Sequence, residues 1–509
     1  MSLWNQCLRM CGVSAMAWLA GCAAMPDPIS LEQKLSAHEG AVVFKFITNG
    51  TTGLDPAETL SSITLKRELP PETKETPMDS IILSRTRAAT NTTALFSGMV
   101  APGRYRVSHA TGSDGHTIYT FPMERMFTAF DVKGGEVSLL GTLLVQPLDG
   151  SRFTVGYVPP NAELTESFEA LFPVLAGQTR GQSANTFHAS PELSQRGQAA
   201  PRIRQLTMAS NGLKASADGT WMGSGKMGRV IWRRPGEERW RVDQVPTWKE
   251  ILSVGMYRGG LLIAGEEGLL RYSPDDGTTW RPLTPPDNGL IAAAEPLPNG
   301  KVIALVRRNM EWTAYASDDL LANAWRKIGT FEQERSLNMP LQRPVTLASG
   351  NRVGVMMANG EFRVVDGDRE TIERRSLGVS IFGAQAMPDG TLVVRAGTLT
   401  ATTLVSVDGG RTWTDLNTNR FVLSVAPAGP RTAYAIAPID PGLFPGRYGL
   451  MVSRDGAKSW TQAGEVPGGQ PGASRGLFYD RTDNSLLAFM ANGQILRSTD
   501  EGKTWTRSL

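Results

Sequence analysis

Four copies of one eight-residue pattern, S-x-D-x-[G/A]-x-[T/S]-W, stand in the C-terminal half of this 509-residue chain: Ser273–Trp280, Ser406–Trp413, Ser453–Trp460 and Ser498–Trp505. The third copy carries Ala457 at the glycine position and Ser459 at the threonine position. Self-similarity at a fixed period determines a repeat architecture before any single residue is weighed. Trp413 and Trp460 are 47 residues apart, Trp460 and Trp505 are 45 apart, and the 133 residues from Trp280 to Trp413 are close to three periods. The missing copies survive in degraded form. Ser317-Asp318-Asp319 precedes Trp325, Asp366-Gly367-Asp368 leads into Glu373 without a tryptophan, and Pro235-Gly236 precedes Trp240. Seven units therefore run from about residue 203 to Leu509.

Each unit reads as four short strands. In the second, the apolar run Ile251–Tyr257 meets the turn Arg258-Gly259-Gly260, then the run Leu261–Ala264 and a second turn over 265–268. Leu269–Ser273 follows, and the repeated pattern leads into Trp280–Leu283. Short strands with turn signals every 8–12 residues predict an all-β fold. Met-Ala-Asn-Gly occurs at 357–360 and again at 490–493, both times between strands two and three, which sets the phase independently. Four-stranded sheets repeated around an axis make a β-propeller, which protects its sheet edges by closing the ring. The first and last units each hold four strands, so closure is expected from face-to-face packing of blades one and seven without a borrowed strand.

The pattern explains itself as turn chemistry. A short Asp side chain accepts hydrogen bonds from its own turn, glycine tolerates positive φ, and Trp packs between blades. Ala457 should be slightly strained or use another turn. The structural set is Ser273, Asp275, Gly277 and Trp280; Ser406, Asp408, Gly410 and Trp413; Ser453, Asp455 and Trp460; Ser498, Asp500, Gly502 and Trp505. These segments resemble the Asp-box (BNR) repeats of sialidases, other glycoside hydrolases, sortilin-type receptors and photosystem assembly factors. The resemblance spans 203–509 and implies that the boxes join strands three and four, on the face away from the usual ligand site. It does not imply one activity, since function lives in sites grafted on a fold.

Residues 1–21 read as a leader, with Arg9 the one charged residue and a short apolar stretch over Val13–Gly21. Leu19-Ala20-Gly21-Cys22 resembles the bacterial lipobox, which implies that Cys22 becomes the lipidated first residue and 22–27 a tether. Each buried methylene contributes ~0.8 kcal/mol, so two or more acyl chains hold a protein at a membrane. Ala23 after the cysteine implies, by the same resemblance, the outer membrane, facing the periplasm or the surface. The cysteines are Cys7, Cys11 and Cys22, so a chain cut at Cys22 has no intrachain disulfide, Cys metal site or Cys nucleophile. Formal net charge is +3, without the basic run of a nucleic-acid arm.

Residues 28–177 form a separate β-rich block, a small β-sandwich with one short helix. Nine strands are expected near 41–47, 63–66, 80–84, 93–96, 104–109, 118–121, 127–132, 137–145 and 153–158. Ala101-Pro102-Gly103-Arg104-Tyr105 resembles the PGxY turn of transthyretin-like and immunoglobulin-like sandwiches. Leu164, Phe168, Leu171 and Phe172 lie at helical spacing, with Asn161 as N-cap. Residues 178–202, rich in Gly, Ser, Gln and Ala, read as a linker, and 203–509 as the propeller.

The four histidines, His38, His109, His116 and His188, all precede the repeat, which excludes a His-based triad or His metal site there. No cofactor or metal is expected. A sialidase-like or other glycoside hydrolase acting on surface glycans is the enzyme alternative. Its aromatic-Arg-Ile-Pro opening finds only Pro201-Arg202-Ile203-Arg204, and none of Tyr257, Tyr272, Tyr315, Tyr434, Tyr448 and Tyr479 can be paired with a glutamate from sequence. The preferred expectation is a membrane-anchored, non-catalytic propeller of the cell envelope that binds a protein or glycan and no nucleic acid. Its ligand face should be built from the strand 2–3 and 4–1 connections, longest over 329–343, 438–449 and 463–474. Candidate contacts are Arg307, Arg308 and Trp312, in an exposed-looking loop, with Arg447 and Tyr448.

Overall fold

The computed structural model describes residues 29–509 except 30–31, 49–59, 71, 74–78, 87–92, 114–117, 150–151, 182–186, 192–198, 207–208, 210, 217, 309–310, 333–343, 358, 380, 387–390, 398–400, 417–421, 430, 440–446 and 468–473. The leader, the tether and Cys22 lie outside the described residues. The chain divides into two compact units, one ending at Arg204 and one running from Gln205 to Leu509.

The second unit is a seven-bladed propeller. Seven four-stranded antiparallel sheets follow one another, each with its strands in simple sequence order. Blade 1 consists of Leu213–Ala215, Trp221–Ser224, Arg229–Arg233 and Arg241–Gln244. Blade 7 consists of Ser474–Asp480, Ser485–Met490, Ile495–Ser498 and Thr506–Arg507. No strand is exchanged between them, as expected from the completeness of both units. The seam is closed by side chains instead. Trp221 meets Phe478 edge-on with ring centroids 5.5 Å apart, within a cluster that includes Leu213, Ile231, Trp240, Leu487 and Phe489. Arg233 and Asp480, each about 3% exposed at the side chain, form a buried ion pair. Asp483 stands 3.5 Å from the same guanidinium and is held by Arg497 at 2.7 Å.

Middle strands are mostly apolar because both of their faces meet a neighbouring blade. Every residue of Gly260–Gly265 and of Ala433–Pro438 is buried. Inner strands are stitched by a repeated serine. Ser253 Oγ accepts the Ala294 amide of the next blade at 3.1 Å, and Ser424 Oγ accepts that of Leu477 at 2.8 Å. Lys214 of blade 1 meets Glu295 of blade 3 (Leu290–Pro296) at 2.9 Å, and Thr346 of blade 4 (Val345–Ser349) donates to the same carboxylate at 2.9 Å. These three residues come from first strands, so their contacts run between inner walls of the ring.

The first unit is a β-sandwich-like domain in which all nine expected strands form. They belong to one continuous hydrogen-bonded ten-stranded sheet rather than two separate ones. The sheet curls around a single core, since Phe130 near one end of its path and Leu143 near the other share a cluster with Phe44, Phe96 and Tyr157. On the outer face, Ala41, Val43, Val137 and Leu139 pack under the helix Ala162–Leu171 through Leu164 and Phe168. Asn161 caps that helix, its Oδ1 accepting the Leu164 amide at 2.9 Å, as the sequence predicts.

The segment 178–202 is not simply a linker. Thr179–Gly181 is the tenth strand, parallel to Val137–Leu139, and Ala199–Leu206 is helical. Phe187 is 2% exposed and stacks on Phe127 at 5.0 Å. A polar composition hid one aromatic anchor, and one buried Phe is worth more than many indifferent neighbours.

Candidate functional site

Because the strands of each blade run in order, the 1–2 and 3–4 turns share one face of the propeller and the 2–3 and 4–1 connections share the other. All four S-x-D segments lie between strands three and four, and each spends its polar atoms on itself. In the first, Ser273 Oγ donates to Asp275 Oδ1 at 2.9 Å and accepts the Gly277 amide at 2.7 Å. Thr279 donates its amide to Asp275 Oδ1 at 2.8 Å and its hydroxyl to Oδ2 at 2.7 Å. The set recurs around Asp408, Asp455 and Asp500. These bonds depress the carboxyl pKa values, with the Thr504 hydroxyl foremost for Asp500, which falls to about 2. Asp455 lies lower still, chiefly through the Ser459 hydroxyl, and Asp408 falls too although burial opposes it. A carboxylate so saturated is a structural acceptor and a poor general acid or base at neutral pH.

Ala457 uses the same turn as the glycines. Its φ is +68°, against +84° at Gly277, +82° at Gly410 and +86° at Gly502. The tryptophans pack on the preceding blade, Trp280 donating to Asp243 at 3.0 Å and Trp413 standing edge-on to Phe362 at 6.2 Å.

The residues expected at the opposite face do not make one surface. Trp312, expected in an exposed loop, is 0% exposed and lies in the core shared by blades 3 and 4. The reason is that it belongs to a middle strand with a blade on both faces: within Glu311–Ser317, Trp312, Thr313 and Ala314 are all buried and the first residue, Glu311, is exposed. Arg307 is also buried, its guanidinium 5.6 Å over the Trp312 ring. Arg308 is exposed and paired with Asp287 at 2.8 Å. Arg447 is exposed and Tyr448 half-buried, but both belong to blade 6, which is not a neighbour of blade 3. Residues 333–343, 440–446 and 468–473 of the three long connections lie outside the described residues.

The hairpin face instead holds a cavity of about 520 Å³ between blades 4 and 5. Blade 4 explains it. Between its third strand, Glu361–Asp366, and its fourth, Thr371–Ser376, there are four residues, where blade 2 has seven between Leu270–Ser273 and Arg281–Pro282. The short hairpin leaves uncovered the flank that the S-x-D hairpin of blade 5 overhangs. Leu347 and Val364 supply an apolar floor, and Asp366, Asp368 and Asp408 line the wall with Arg352, Arg369, Arg375 and Arg411.

The carboxylates there are committed. Asp366 accepts the amides of Asp368 and Arg369 at 3.0 Å and Arg352 Nε at 2.9 Å. Although burial pushes its pKa up, these donors hold it below the usual range. Asp368 accepts the side-chain amides of Asn299 and Asn351, each at 2.9 Å. Arg375 donates to Glu373 at 2.9 Å and to the Gly410 carbonyl at 3.2 Å. The guanidiniums of Arg369 and Arg411 have no such partner among the described residues, and both side chains are exposed. Val407, which precedes the lining residue Asp408 in the chain, is 79% exposed, the most exposed large apolar side chain among the described residues. Sequence reasoning missed this site because it set the S-x-D face aside as scaffold. The available signals were the degraded fourth unit, lacking a tryptophan, and a valine at a variable position of the Ser406 copy.

No protein-family profile matches the chain, and no curated protein matches it. Solved structures do. A structure titled YCF48 bound to D1 peptide is 17% identical over 57% of this chain and 93% of its own, with a TM-score of 0.42. The propeller domain of Cps50 (Swd1) from Myceliophteria thermophila is 13% identical over 57% of this chain and 97% of its own, TM-score 0.38. The GH74 enzyme of Niastella koreensis is 12% identical over 58% of this chain and 53% of its own, TM-score 0.40.

Proposed function

We propose that this chain is a non-catalytic binding propeller of the cell envelope, anchored to a membrane through Cys22 and holding a protein or glycan partner on its hairpin face. The cavity between blades 4 and 5 carries this reading. It combines an apolar floor with two cations that have no partner among the described residues, next in the chain to an exposed Val407 and where the repeat is broken, and mixed apolar and polar concavities are the usual form of a binding site.

A sialidase-like hydrolase is the weaker reading. Such a site needs several arginines around a reactive Tyr–Glu pair. Tyr434 meets Glu501 on the hairpin rim, where Arg454 pairs with that glutamate and no second arginine is recorded among the described residues. Burial raises the Tyr434 pKa, the direction opposite to activation. Glu295, a buried carboxylate on an inner strand, is occupied by Lys214 and Thr346, and Asp480, another, by Arg233.

The test is site-specific photocrosslinking from position 407, with position 308 on the other face as comparison, in cells that carry the chain at its own membrane. A discrete adduct from 407 and none from 308 supports the reading. Adducts from 308 alone would move the site to the opposite face. Turnover of a fluorogenic glycoside panel by the purified chain would replace binding with hydrolysis.

A further inference from the structure

Resting on that binding reading, we propose that the blade 4/5 cavity is specific for an acidic peptide segment, taking its carboxylate on Arg369 and Arg411 and its apolar side chains on Leu347 and Val364, with the exposed Val407, chain neighbour of the lining residue Asp408, as a further apolar contact outside the cavity. The cavity wall holds four arginines against three aspartates, and the aspartates are consumed by turn amides, Arg352 and two asparagines. Arg352 and Arg375 are consumed likewise. What stays available to a ligand is two exposed guanidiniums whose donors are unspent among the described residues. A planar guanidinium matches a carboxylate in a bidentate pair, the strongest kind of charge-assisted hydrogen bond a side chain offers.

Position adds to charge. Arg369 comes from the hairpin of blade 4 and Arg411 from that of blade 5, so they approach the same mouth from two sides. Gly409 and Gly410, at φ +70° and +82°, form the adjoining turn, and a Cβ at residue 410 would strike the Phe362 ring at 2.2 Å. The turn that carries Arg411 is thus held tightly against blade 4 rather than hanging free. Preorganised cations lose less entropy on binding than mobile ones.

The apolar part selects peptide over acidic sugar. Sugars pack their C–H faces on aromatic rings, and among the described residues the cavity lining contains no aromatic side chain. Its apolar contributions are aliphatic, which suits leucine-like or valine-like side chains. The segment expected is one that alternates carboxylates with aliphatic residues.

The experiment uses the full chain in detergent and a fluorescein-labelled peptide of alternating glutamate and leucine, read by anisotropy. Its glutamine analogue and unlabelled polygalacturonate serve as comparisons. The glutamate peptide is expected to bind at least tenfold more tightly than its analogue. Arg369→Ala/Arg411→Ala should remove that difference, and Arg308→Ala on the other face should not. Val407→Asp should weaken the peptide at least fivefold while circular dichroism stays unchanged. Equal binding of the two peptides, retention of the preference by the double variant, or displacement by polygalacturonate but not by unlabelled peptide each overturns the inference. If the adduct from position 407 persists in the double variant, the binding reading survives and the acidic specificity alone falls; if no adduct forms at all, both fall.

Discussion

The seam that closes the ring contains a buried charge pair beside its aromatic cluster, and that makes a sharp prediction. Asp480→Asn keeps an amide oxygen for the bonds that Thr482 makes to Asp480 Oδ1, at 2.9 Å from the amide and 2.6 Å from the hydroxyl, and replaces the carboxylate oxygen that accepts from Arg233 with an uncharged amide nitrogen. Arg233, with a side chain 3% exposed, is then left facing Asp483 at 3.5 Å. Breaking a buried pair by removing one partner costs about 3–5 kcal/mol; the residual Asp483 contact places this case near about 3 kcal/mol. Unfolding entropy of roughly 2.1 cal/mol/K per residue over the propeller, Gln205–Leu509, converts the range into a Tm lower by about 5–8 °C. Trp4 and Trp18 are the only tryptophans before residue 221, so in a chain processed at Cys22 tryptophan fluorescence reports the propeller alone. Urea unfolding followed by that signal gives the cost. Arg233→Met combined with Asp480→Asn should lose less than the sum of the two single changes, because no lone charge remains buried. A loss under about 1 kcal/mol for Asp480→Asn, with additive singles, would refute the view that this pair helps to close the ring.

Ala457→Gly should stabilise by about 0.5–1 kcal/mol, since relief of roughly 1–2 kcal/mol at positive φ exceeds the added unfolded-state entropy; unfolding midpoints check it. The hairpin aspartates titrate below the ordinary carboxylate value of about 3.9, with Asp500 at about 2. A lowered folded pKa contributes stability that is present above the unfolded value and lost as pH falls through the folded one. The propeller should therefore weaken from about pH 4 to pH 2, and Asp500→Asn should flatten part of that slope. Phe187→Ala should destabilise the N-terminal unit by about 3–5 kcal/mol and open it to limited proteolysis, where a true linker residue would change nothing. Cys22→Ala should abolish acyl labelling and release the chain from membranes; a fully retained variant would remove the anchor.

Much of the propeller was legible because a blade is a local object. The S-x-D hairpins, their position between strands three and four and the need for a left-handed residue at 457 follow from bonds within eight residues. The nine N-terminal strands and the Asn161 cap are likewise near-neighbour matters. The errors share another origin. Trp312 looked exposed because an arginine pair and a glutamate flank it, yet it begins the buried part of a middle strand that has a blade on both faces. Phe187 sat in a stretch whose composition argued for a linker, and its partner Phe127 lies sixty residues away.

The sequence by itself determined the repeat, the count of seven blades, closure without strand exchange and the chemistry inside each hairpin, because these are set by a period and by turns. Only the tertiary structure decided that Arg233 meets Asp480, that Lys214 meets Glu295, and that Arg369 and Arg411 flank one cavity. Those contacts join residues brought together by the curvature of the ring, and no spacing along the chain encodes how far a short hairpin in one blade uncovers the flank of the next.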